Sequence, residues 1–300
     1  IFAECEMVVK VKEPQAVERK KLREGQILYT YLHLAPDADQ TKELLDSGVT
    51  AIAYETVTGP RGQLPLLKPM SQVAGRMSVQ AGATALEKAH GGRGVLLGGV
   101  PGVMPGKVVV IGGGVVGFNA AQMAVGLGAD VTILDRDPEV LEKVGTHFEA
   151  RASTRFSNAA NLYDAVTTAD LVIGAVLLHG AKGPSLIVEE DLKTMKPGSV
   201  IVDLAVEQGG NCPLSEPGKV VVKHGVTLVG HLNVPARLAS DASAMYARNV
   251  LNFVTPMVDP ETKAFAIDWE DEIVAACAIV RDGEVIHPDL APAPEQAKAG

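Results

Sequence analysis

Cysteine is scarce in this 300-residue chain, and its three cysteines lie far apart. Cys5, Cys212 and Cys277 form neither an even-numbered disulfide framework nor the CxxC spacing of a structural zinc site. The seven histidines show no ligand spacing either, so we expect no metal site. These absences exclude a small disulfide-stabilised secreted domain and favour a reducing cytoplasm as the location.

Long apolar runs and an excess of positive charge are also missing. No apolar stretch reaches the roughly 18–20 residues that cross a bilayer, and no basic segment followed by an apolar one indicates a secretory signal. The formal net charge is −9, whereas nucleic acid requires a basic surface. We therefore expect a soluble protein that spans no membrane and binds no nucleic acid.

Glycine and hydrophobic residues, in contrast, are plentiful. Thirty-one glycines and a hydrophobic fraction of 47% are typical of a globular α/β protein. Apolar strands are predicted at residues 7–12, 27–33 and 51–55, and an amphipathic helix between the last two ends at Gly48. Strands that alternate with helices indicate βαβ units and a parallel sheet.

A second series of apolar strands follows a glycine-rich loop at residues 91–106. We predict these strands at residues 108–112, 131–135, 171–177, 200–205 and 226–230, with helices at 71–89 and 241–251. The predicted fold class is α/β, with two Rossmann-like domains built on parallel sheets. Residues 66–237 form one domain, which is inserted into a second domain formed by residues 1–65 and 238–300.

A glycine pattern directly follows the first strand of this second series. Gly112, Gly114 and Gly117 form the spacing GxGxxG between a strand and a helix. Such glycines permit a tight turn, the close approach of a pyrophosphate and close packing of the helix on the strand, while N–H groups at the helix start bind the phosphates. We therefore predict an NAD(H)-binding domain at residues 66–237. The alternative is a glycine turn in an unrelated α/β domain.

Asp135 indicates which dinucleotide is bound. It ends the next strand, at the distance of roughly 20 residues where a carboxylate binds the ribose hydroxyls of the dinucleotide. A carboxylate there repels a 2′-phosphate, so NAD is favoured over NADP. Arg136 beside it weakens this preference, because its positive charge would attract the 2′-phosphate.

Three polar residues fall at the ends of the three early strands: Lys12, His33 and Glu55. Ligands of parallel sheets bind at the carboxyl ends of the strands, so this shared placement indicates a substrate site. Each residue also has a plainer interpretation. Lys12 could be a solvated strand end, His33 a structural histidine and Glu55 a structural carboxylate.

Long segments of the chain resemble the family of alanine dehydrogenases and proton-translocating transhydrogenases. Up to about residue 209 the chain is similar to alanine dehydrogenases, for example in VKVKEP (9–14), PLLKPMSQVAGR (65–76) and LVIGAVLLHGAKGPSLIV (171–188). From about residue 202 to 288 it resembles the NAD(H)-binding α subunit of transhydrogenase, as in GHLNVPARLASDASAMYARN (230–249) and IDWEDEIV (267–274). The two stretches therefore point to different branches of one family.

The resemblance assigns roles to further residues. It implies substrate contacts by Lys12 and His33, a catalytic carboxylate at Glu207 and a substrate-side amide at Asn233. The implied cofactor contacts are Ser71, Ser157, Val176 and Leu177. The family has aspartate where this chain has Glu207, and the added methylene displaces the carboxylate by about an ångström, enough to lower a rate ~100-fold. Glu207 could instead simply cap the QGG turn that follows it.

The family's early substrate-binding arginine has no counterpart, because the matching stretch would precede Ile1. We expect that a segment of roughly 60 residues, about two βα units of ~30 residues each, is missing from the substrate domain.

The resemblance implies NAD-dependent oxidative deamination of L-alanine to pyruvate and ammonia, by a cytoplasmic homo-oligomer. Lys12 would pair with the substrate carboxylate, His33 would transfer protons, and Glu207 would help to activate water. One alternative is the NAD(H)-binding α subunit of a proton-translocating transhydrogenase, docked on membrane and NADP-binding subunits. The transhydrogenase-like C-terminal third and the proline- and alanine-rich tail (289–300) favour it, whereas residues 69–76 lack the RAQS-type loop of transhydrogenases. A lesser alternative is a non-catalytic NAD-binding protein.

Overall fold

The computed structural model of the chain describes residues 1–34, 37–59, 62–177 and 182–286. It divides into two units, one formed by Ile1–Lys68 with Tyr246–Gly300 and the other by Pro69–Met245. The tail at residues 289–300, which we considered as a linker, lies outside the described residues. The assignment of substrate and cofactor binding to two separate domains stays a prediction.

Twelve strands and nine helices are found in the described part of the chain. The strands are β1 (Met7–Val9), β2 (Ile27–Thr30), β3 (Thr50–Ala53), β4 (Lys107–Ile111), β5 (Asp130–Asp135), β6 (Ala152–Phe156), β7 (Leu171–Gly174), β8 (Val200–Asp203), β9 (Val220–Lys223), β10 (Val226–Val229), β11 (Ala278–Arg281) and β12 (Glu284–Val285). The helices are α1 (Ala16–Arg19), α2 (Ala38–Ser47), α3 (Lys68–Ala85), α4 (Val115–Gly126), α5 (Pro138–Phe148), α6 (Ala159–Thr168), α7 (Glu189–Thr194), α8 (Ala239–Val254) and α9 (Glu272–Cys277). None of the described helices is both long and apolar enough to cross a membrane.

The first unit contains a five-stranded sheet in the order β1-β2-β3-β11-β12. Strands β1 to β3 are parallel, as the early βαβ pattern predicts, whereas β11 runs antiparallel to both β3 and β12. Helix α2 lies between β2 and β3. Its N-cap is Asp37, whose side chain accepts the N–H of Gln40 at 2.8 Å. The helix ends at Gly48 with φ +66°, as predicted, and its buried Leu44 packs on the sheet core.

The second unit contains a seven-stranded sheet in the order β6-β5-β4-β7-β8-β10-β9. All neighbours are parallel except β9, which pairs antiparallel with β10. The α/β fold class with Rossmann-like parallel sheets is therefore confirmed. The exceptions are the edge strand β9 here and the antiparallel β11–β12 hairpin in the first unit. Strands β7, β8 and β10 are buried along their whole length, because helices cover both faces of such a sheet.

The strand order determines which loops share an edge of the second sheet. Because the strands β4 to β8 are parallel, the loops that follow their carboxyl ends lie along one edge. This edge carries the glycine loop after β4, Asp135 at the end of β5, Ser157 after β6 and Val176 after β7. Predicted cofactor residues from four strands are thus positioned by the topology.

Helix α3 packs against α4 through a glycine. A Cβ atom on Gly75 would lie 2.1 Å from the carbonyl oxygen of Val116, in the first turn of α4. Beside this contact, the Arg76 guanidinium donates to Asn119 Oδ1 at 3.1 Å and to Gln122 Oε1 at 2.7 Å. Any side chain at position 75 would therefore push α3 away from the helix that follows the glycine loop.

We expect Gly75→Ala to lower the free energy of unfolding by about 1–3 kcal/mol, the range seen when a well-packed interior is overfilled. The matched control is Gly145→Ala in α5, where an added Cβ meets nothing within 4 Å. Alanine is a better helix former than glycine, so this control should stabilise the protein by up to ~1 kcal/mol. Thermal or urea denaturation measures both changes, and an equal effect of the two substitutions would contradict the packing argument.

Candidate dinucleotide site and substrate-side residues

The glycine loop begins at Gly112, a position that tolerates no side chain. Gly112 has φ +99°, and its N–H donates to the carbonyl oxygen of Leu134 in β5 at 2.7 Å. A Cβ atom here would meet the Ala175 oxygen and Val176 Cγ2, both at 3.0 Å. The loop after β4 is thus wedged between β5 and the residues that follow β7.

The other two glycines of the pattern serve different purposes. A Cβ on Gly117 would lie 1.7 Å from the carbonyl oxygen of Gly112, so the start of α4 rests directly on the loop. Gly114 is the N-cap of α4, has no side chain to cap it, and has nothing within 4 Å of an added Cβ. The N–H groups of the first turn of α4 therefore have open space beside Gly114, which fits a bound pyrophosphate.

Asp135 is tied to the glycine loop by its carboxylate. Its Oδ2 accepts the N–H of Gly113 at 2.6 Å, and its Oδ1 accepts the N–H of Asp137 at 2.9 Å. A carboxylate has about four lone-pair positions, so ribose hydroxyls can still donate to it. The carboxylate lies where the sequence spacing predicts it, and it also fastens the loop.

Two of the predicted cofactor residues flank this loop in different ways. Ser157 is buried just after β6, and its N–H donates to the carbonyl oxygen of Asp135 at 2.8 Å. Ser71 lies in the first turn of α3, one helical turn before the contact of Gly75 with α4. The roles of both serines in cofactor binding stay predictions.

The backbone of Val176 is held by a residue that the sequence did not reveal. The Asn211 side chain accepts the Val176 N–H at 3.0 Å and donates to the Val176 carbonyl at 2.9 Å. Asn211 is fully buried, and its own N–H donates to Asp203 at the end of β8 at 3.1 Å. Leu177, the next predicted contact, is half-buried and packs against the main core of this unit. The only signal in the sequence is that Asp203 ends a buried strand.

Glu207 and Asn233 are brought together, as their proposed shared role requires. Glu207 lies in a short 3-10 helix (Val206–Gln208), and its Oε1 accepts the N–H of Asn233 at 2.8 Å. Asn233 has φ +43°, in the left-handed region that asparagine tolerates better than most residues. Both side chains are exposed. The loops after β8 and β10 thus present a carboxylate and an amide side by side.

In the first unit, Glu55 holds the backbone beneath His33. Its Oε1 accepts the N–H groups of Leu32 at 2.9 Å and His33 at 2.8 Å. His33 lies three residues beyond the end of β2 and has φ +49°. This strained backbone is stabilised by the carboxylate from the 3-10 helix (Tyr54–Thr56) after β3. Glu55 is therefore a support for His33, which matches the plainer of its two interpretations.

Tyr31 connects Lys12 and His33. Lys12 Nζ lies 5.4 Å from the centroid of the Tyr31 ring, which is within cation–π range. The His33 ring meets the same tyrosine edge-on, with centroids 5.6 Å apart. The two predicted catalytic side chains thus lie on one aromatic ring, at the end of the sheet where β1 and β2 finish. Tyr31 was not among the residues selected from the sequence.

The environment of Glu55 is apolar enough to change its ionisation. Burial raises the pKa of Glu55, although hydrogen bonds from backbone N–H groups, including those of His33 and Leu32, act in the opposite direction. Its Oε2 atom is buried, and no group of the described residues donates a hydrogen bond to it. Within the described residues, no group of three or more histidine, cysteine, aspartate or glutamate side chains could hold a metal ion.

We expect Glu55→Gln to stabilise the protein relative to wild type increasingly as the pH rises. A carboxyl whose pKa is raised by folding binds its proton more tightly in the native state, so the free energy of unfolding falls as the pH rises from the unfolded pKa of about 4.3 to the raised folded value. Glutamine keeps the oxygen that accepts both N–H groups and removes this penalty.

Denaturation of the wild type and of Glu55→Gln between about pH 4 and pH 8 measures the difference. Glu4→Gln, at an exposed side chain, controls for the loss of one negative charge. An advantage of Glu55→Gln that shrinks as the pH rises would mean that the hydrogen bonds outweigh burial.

We expect Asn211→Asp to weaken NAD binding at least several-fold and to lower the free energy of unfolding by about 1–3 kcal/mol. The aspartate cannot donate to the Val176 carbonyl, and it places a second buried carboxylate beside Asp203. Calorimetric titration with NAD and thermal denaturation measure the two effects. The matched control is Asn158→Asp, at the exposed N-cap of α6, where either residue accepts the N–H of Asn161 equally well. Similar losses in both variants would contradict the role of Asn211.

Comparison with known proteins agrees with these features. Residues 1–74 match the family model described as "Alanine dehydrogenase/PNT, N-terminal domain", and residues 78–288 match "Alanine dehydrogenase/PNT, C-terminal domain". The alanine dehydrogenase of Halomonas elongata is 49% identical over 298 residues, covering 98% of this chain and 80% of that protein. That of Bacillus subtilis is 54% identical over 237 residues, covering 77% of this chain and 62% of that protein.

Solved structures give the same result. An L-alanine dehydrogenase superimposes with a TM-score of 0.88 at 45% identity, covering 95% of this chain and 80% of that one. A transhydrogenase from Sinorhizobium meliloti superimposes with a TM-score of 0.83 at 32% identity, covering 94% and 81%. The fold, the glycine loop and the sequence similarity agree along almost the whole length. The chain therefore belongs to the alanine dehydrogenase/PNT family.

Proposed function

We propose that this chain is an NAD-dependent alanine dehydrogenase, which converts L-alanine, NAD⁺ and water to pyruvate, ammonium, NADH and a proton. The observation that carries the proposal is the placement of Lys12 and His33 on Tyr31, at the carboxyl end of a parallel sheet in a chain 49% identical to an alanine dehydrogenase. The homo-oligomeric state and the cytoplasmic location that the family resemblance implies stay predictions.

NAD is the cofactor in this proposal, and when bound it would supply the acceptor for the hydride that leaves the α-carbon of alanine. The glycine loop, the open start of α4 and the Asp135 carboxylate fit its pyrophosphate and adenosine ribose. The negative charge of Asp135 disfavours a 2′-phosphate. Val176, whose backbone Asn211 holds on both sides, and Leu177 supply the apolar contacts of the cofactor in this proposal.

Lys12 binds the substrate carboxylate and polarises the carbonyl that forms at the α-carbon. A lysine ammonium has three donors and a compact charge, which suits both tasks as the tetrahedral carbon becomes planar. The ring of Tyr31 lies within cation–π range of its ammonium and helps to hold the ammonium in place. Exposure of Lys12 leaves its side chain accessible to a small acid.

His33 transfers the protons that the reaction requires. Loss of hydride from the α-carbon leaves an iminium that water attacks, so one base must take a proton from water and later return it to the departing amine. An imidazole exchanges protons near neutral pH. Because Glu55 binds the backbone N–H of His33 rather than its ring, the carboxylate positions the imidazole without competing for its protons.

Glu207 and Asn233 orient the water and the amine in this proposal. The Glu207 carboxylate keeps the charge of the aspartate that the family has at this position, and the Asn233 N–H fixes one of its oxygens. In this proposal the carboxylate accepts a proton from water or from the substrate ammonium. The pair thus supplies a base and an amide on two adjacent loops.

We expect the purified protein to reduce NAD when given L-alanine, because in this proposal the glycine loop binds NAD, Lys12 binds the substrate carboxylate and His33 is the base. His33→Ala should lower kcat by about 100- to 10,000-fold, the range for a lost general acid–base, and Lys12→Ala should raise KM for alanine as well as lower kcat. Lys42→Ala, at an exposed position of α2, is the control and should leave both constants unchanged. NADH absorbance measures the rates.

Each other outcome of this assay contradicts the proposal in a different way. If NAD binds and L-alanine is inert, but an NADP-binding transhydrogenase subunit elicits hydride exchange, the chain is a transhydrogenase α subunit. The 32% identity to the Sinorhizobium meliloti transhydrogenase makes this the second candidate. If NAD binds and neither reaction occurs, the chain is a non-catalytic NAD-binding protein.

A further inference from the structure

The backbone carbonyls of residues 10–12 each accept a hydrogen bond from a side-chain hydroxyl, and each hydroxyl comes from a different element of the fold. The carbonyl of Lys10 accepts from the Tyr246 hydroxyl of α8. That of Val11 accepts from the Tyr54 hydroxyl at 2.8 Å. That of Lys12 itself accepts from Thr30 Oγ1, at the end of β2, at 2.7 Å.

These hydroxyls lie beneath an exposed segment. Val11 and Lys12 are exposed and lie in a bend beyond the end of β1. Thr30 is fully buried, Tyr54 is buried and Tyr246 is half-buried. Buried backbone acceptors without partners are costly, so the three hydroxyls take the place of a sheet ladder under the segment.

The side chains of the segment are fixed separately from its carbonyls. Lys10 forms an ion pair with Glu18 of α1, which holds its ammonium at that helix. The rings of Tyr54 and Tyr246 pack edge-to-face, with centroids 5.9 Å apart. Tyr54 also packs against Tyr29, at 5.7 Å. The two tyrosine hydroxyls are therefore carried on side chains that aromatic packing holds in place.

We propose that Tyr54, Tyr246 and Thr30 are positioning residues for Lys12, which fix its ammonium against the substrate carboxylate by holding the backbone at residues 10–12. This inference rests on the proposed function, because it assigns Lys12 a substrate to meet. None of the three side chains touches the reacting atoms. They act through Lys12, and a displacement of about 1 Å at a reacting group lowers rates by roughly 100-fold.

The test uses variants that remove a hydroxyl and keep the shape: Tyr54→Phe, Tyr246→Phe and Thr30→Val. Each should lower kcat/KM for L-alanine by about 10- to 100-fold and leave the dissociation constant for NAD unchanged. The matched control is Tyr29→Phe, in the same aromatic cluster. Among the described residues, its hydroxyl makes no hydrogen bond to residues 10–12, so its kinetics should equal the wild type.

A double-mutant cycle separates positioning from a merely structural role. The dissociation constant for pyruvate is measured by fluorescence titration of the NADH complex in wild-type and Lys12→Ala backgrounds. Tyr54→Phe should weaken pyruvate binding about 10-fold in the wild type and not at all in Lys12→Ala, because the residue through which it acts is gone. The same factor in both backgrounds would overturn the proposal.

Hydrogen exchange tests the anchoring without any turnover. The amides of residues 10–13 should exchange about 10-fold faster in the three hydroxyl variants than in the wild type or Tyr29→Phe, since local opening loses its restraint. Unchanged exchange would overturn the anchoring. If wild-type protein does not oxidise L-alanine, the proposed function fails, and exchange at these amides still decides whether the three hydroxyls hold the segment.

Discussion

The second unit depends on one close approach, that of the start of α4 to the carbonyl of Gly112. A Cβ atom at position 117 would lie 1.7 Å from that oxygen, which is far closer than van der Waals contact allows. Only glycine therefore allows the helix to begin there. The contact fixes α4 directly beyond β4, which is hydrogen-bonded to β5 on one side and β7 on the other. It therefore aims the N–H groups at the helix start over the carboxyl edge of the sheet.

A second close approach joins helix α3 to the start of α4. Gly75 of α3 meets the carbonyl of Val116, one residue before Gly117. Helix α3 can pack at that distance only while α4 rests on the glycine loop. A larger residue at either glycine would therefore move two helices, and Ser71 with them. The glycines of the candidate dinucleotide site are therefore also packing contacts of its helices.

Buried and half-buried polar side chains hold the loops of both units where the sheet ladder stops. Asp135 fastens the glycine loop, Asn211 binds both backbone groups of Val176, and Glu55 binds the N–H of His33. Backbone groups beyond a strand end have no ladder partner, and burial makes their satisfaction obligatory. These hydrogen bonds supply the support that a precisely positioned site requires when its side chains lie on loops.

Prediction from sequence succeeded where the signal is local. The strands β4, β7 and β8 each contain an unbroken apolar run. The spacing of Gly112, Gly114 and Gly117 is contained in six residues. Strands β6 and β9 were not predicted, because they lie at the edges of the sheet and their exposed side chains interrupt the apolar pattern. The β11–β12 hairpin turns on Asp282 and Gly283, both with positive φ, and this Asp-Gly pair was a usable signal. Asn211 and Tyr246 had no local signal, because they bind groups that lie 35 and 236 residues away along the chain.

Glu207 shows how one substitution depends on its partner. Glutamate in place of the family's aspartate would displace the carboxylate by about an ångström if the backbone were unchanged. Here its Oε1 is held by the N–H of Asn233, which adopts a left-handed conformation at the loop after β10. Both residues lie in the stretch that resembles transhydrogenases. Because a backbone donor on a second loop sets where this carboxylate lies, the longer side chain and that loop have to be considered as one unit.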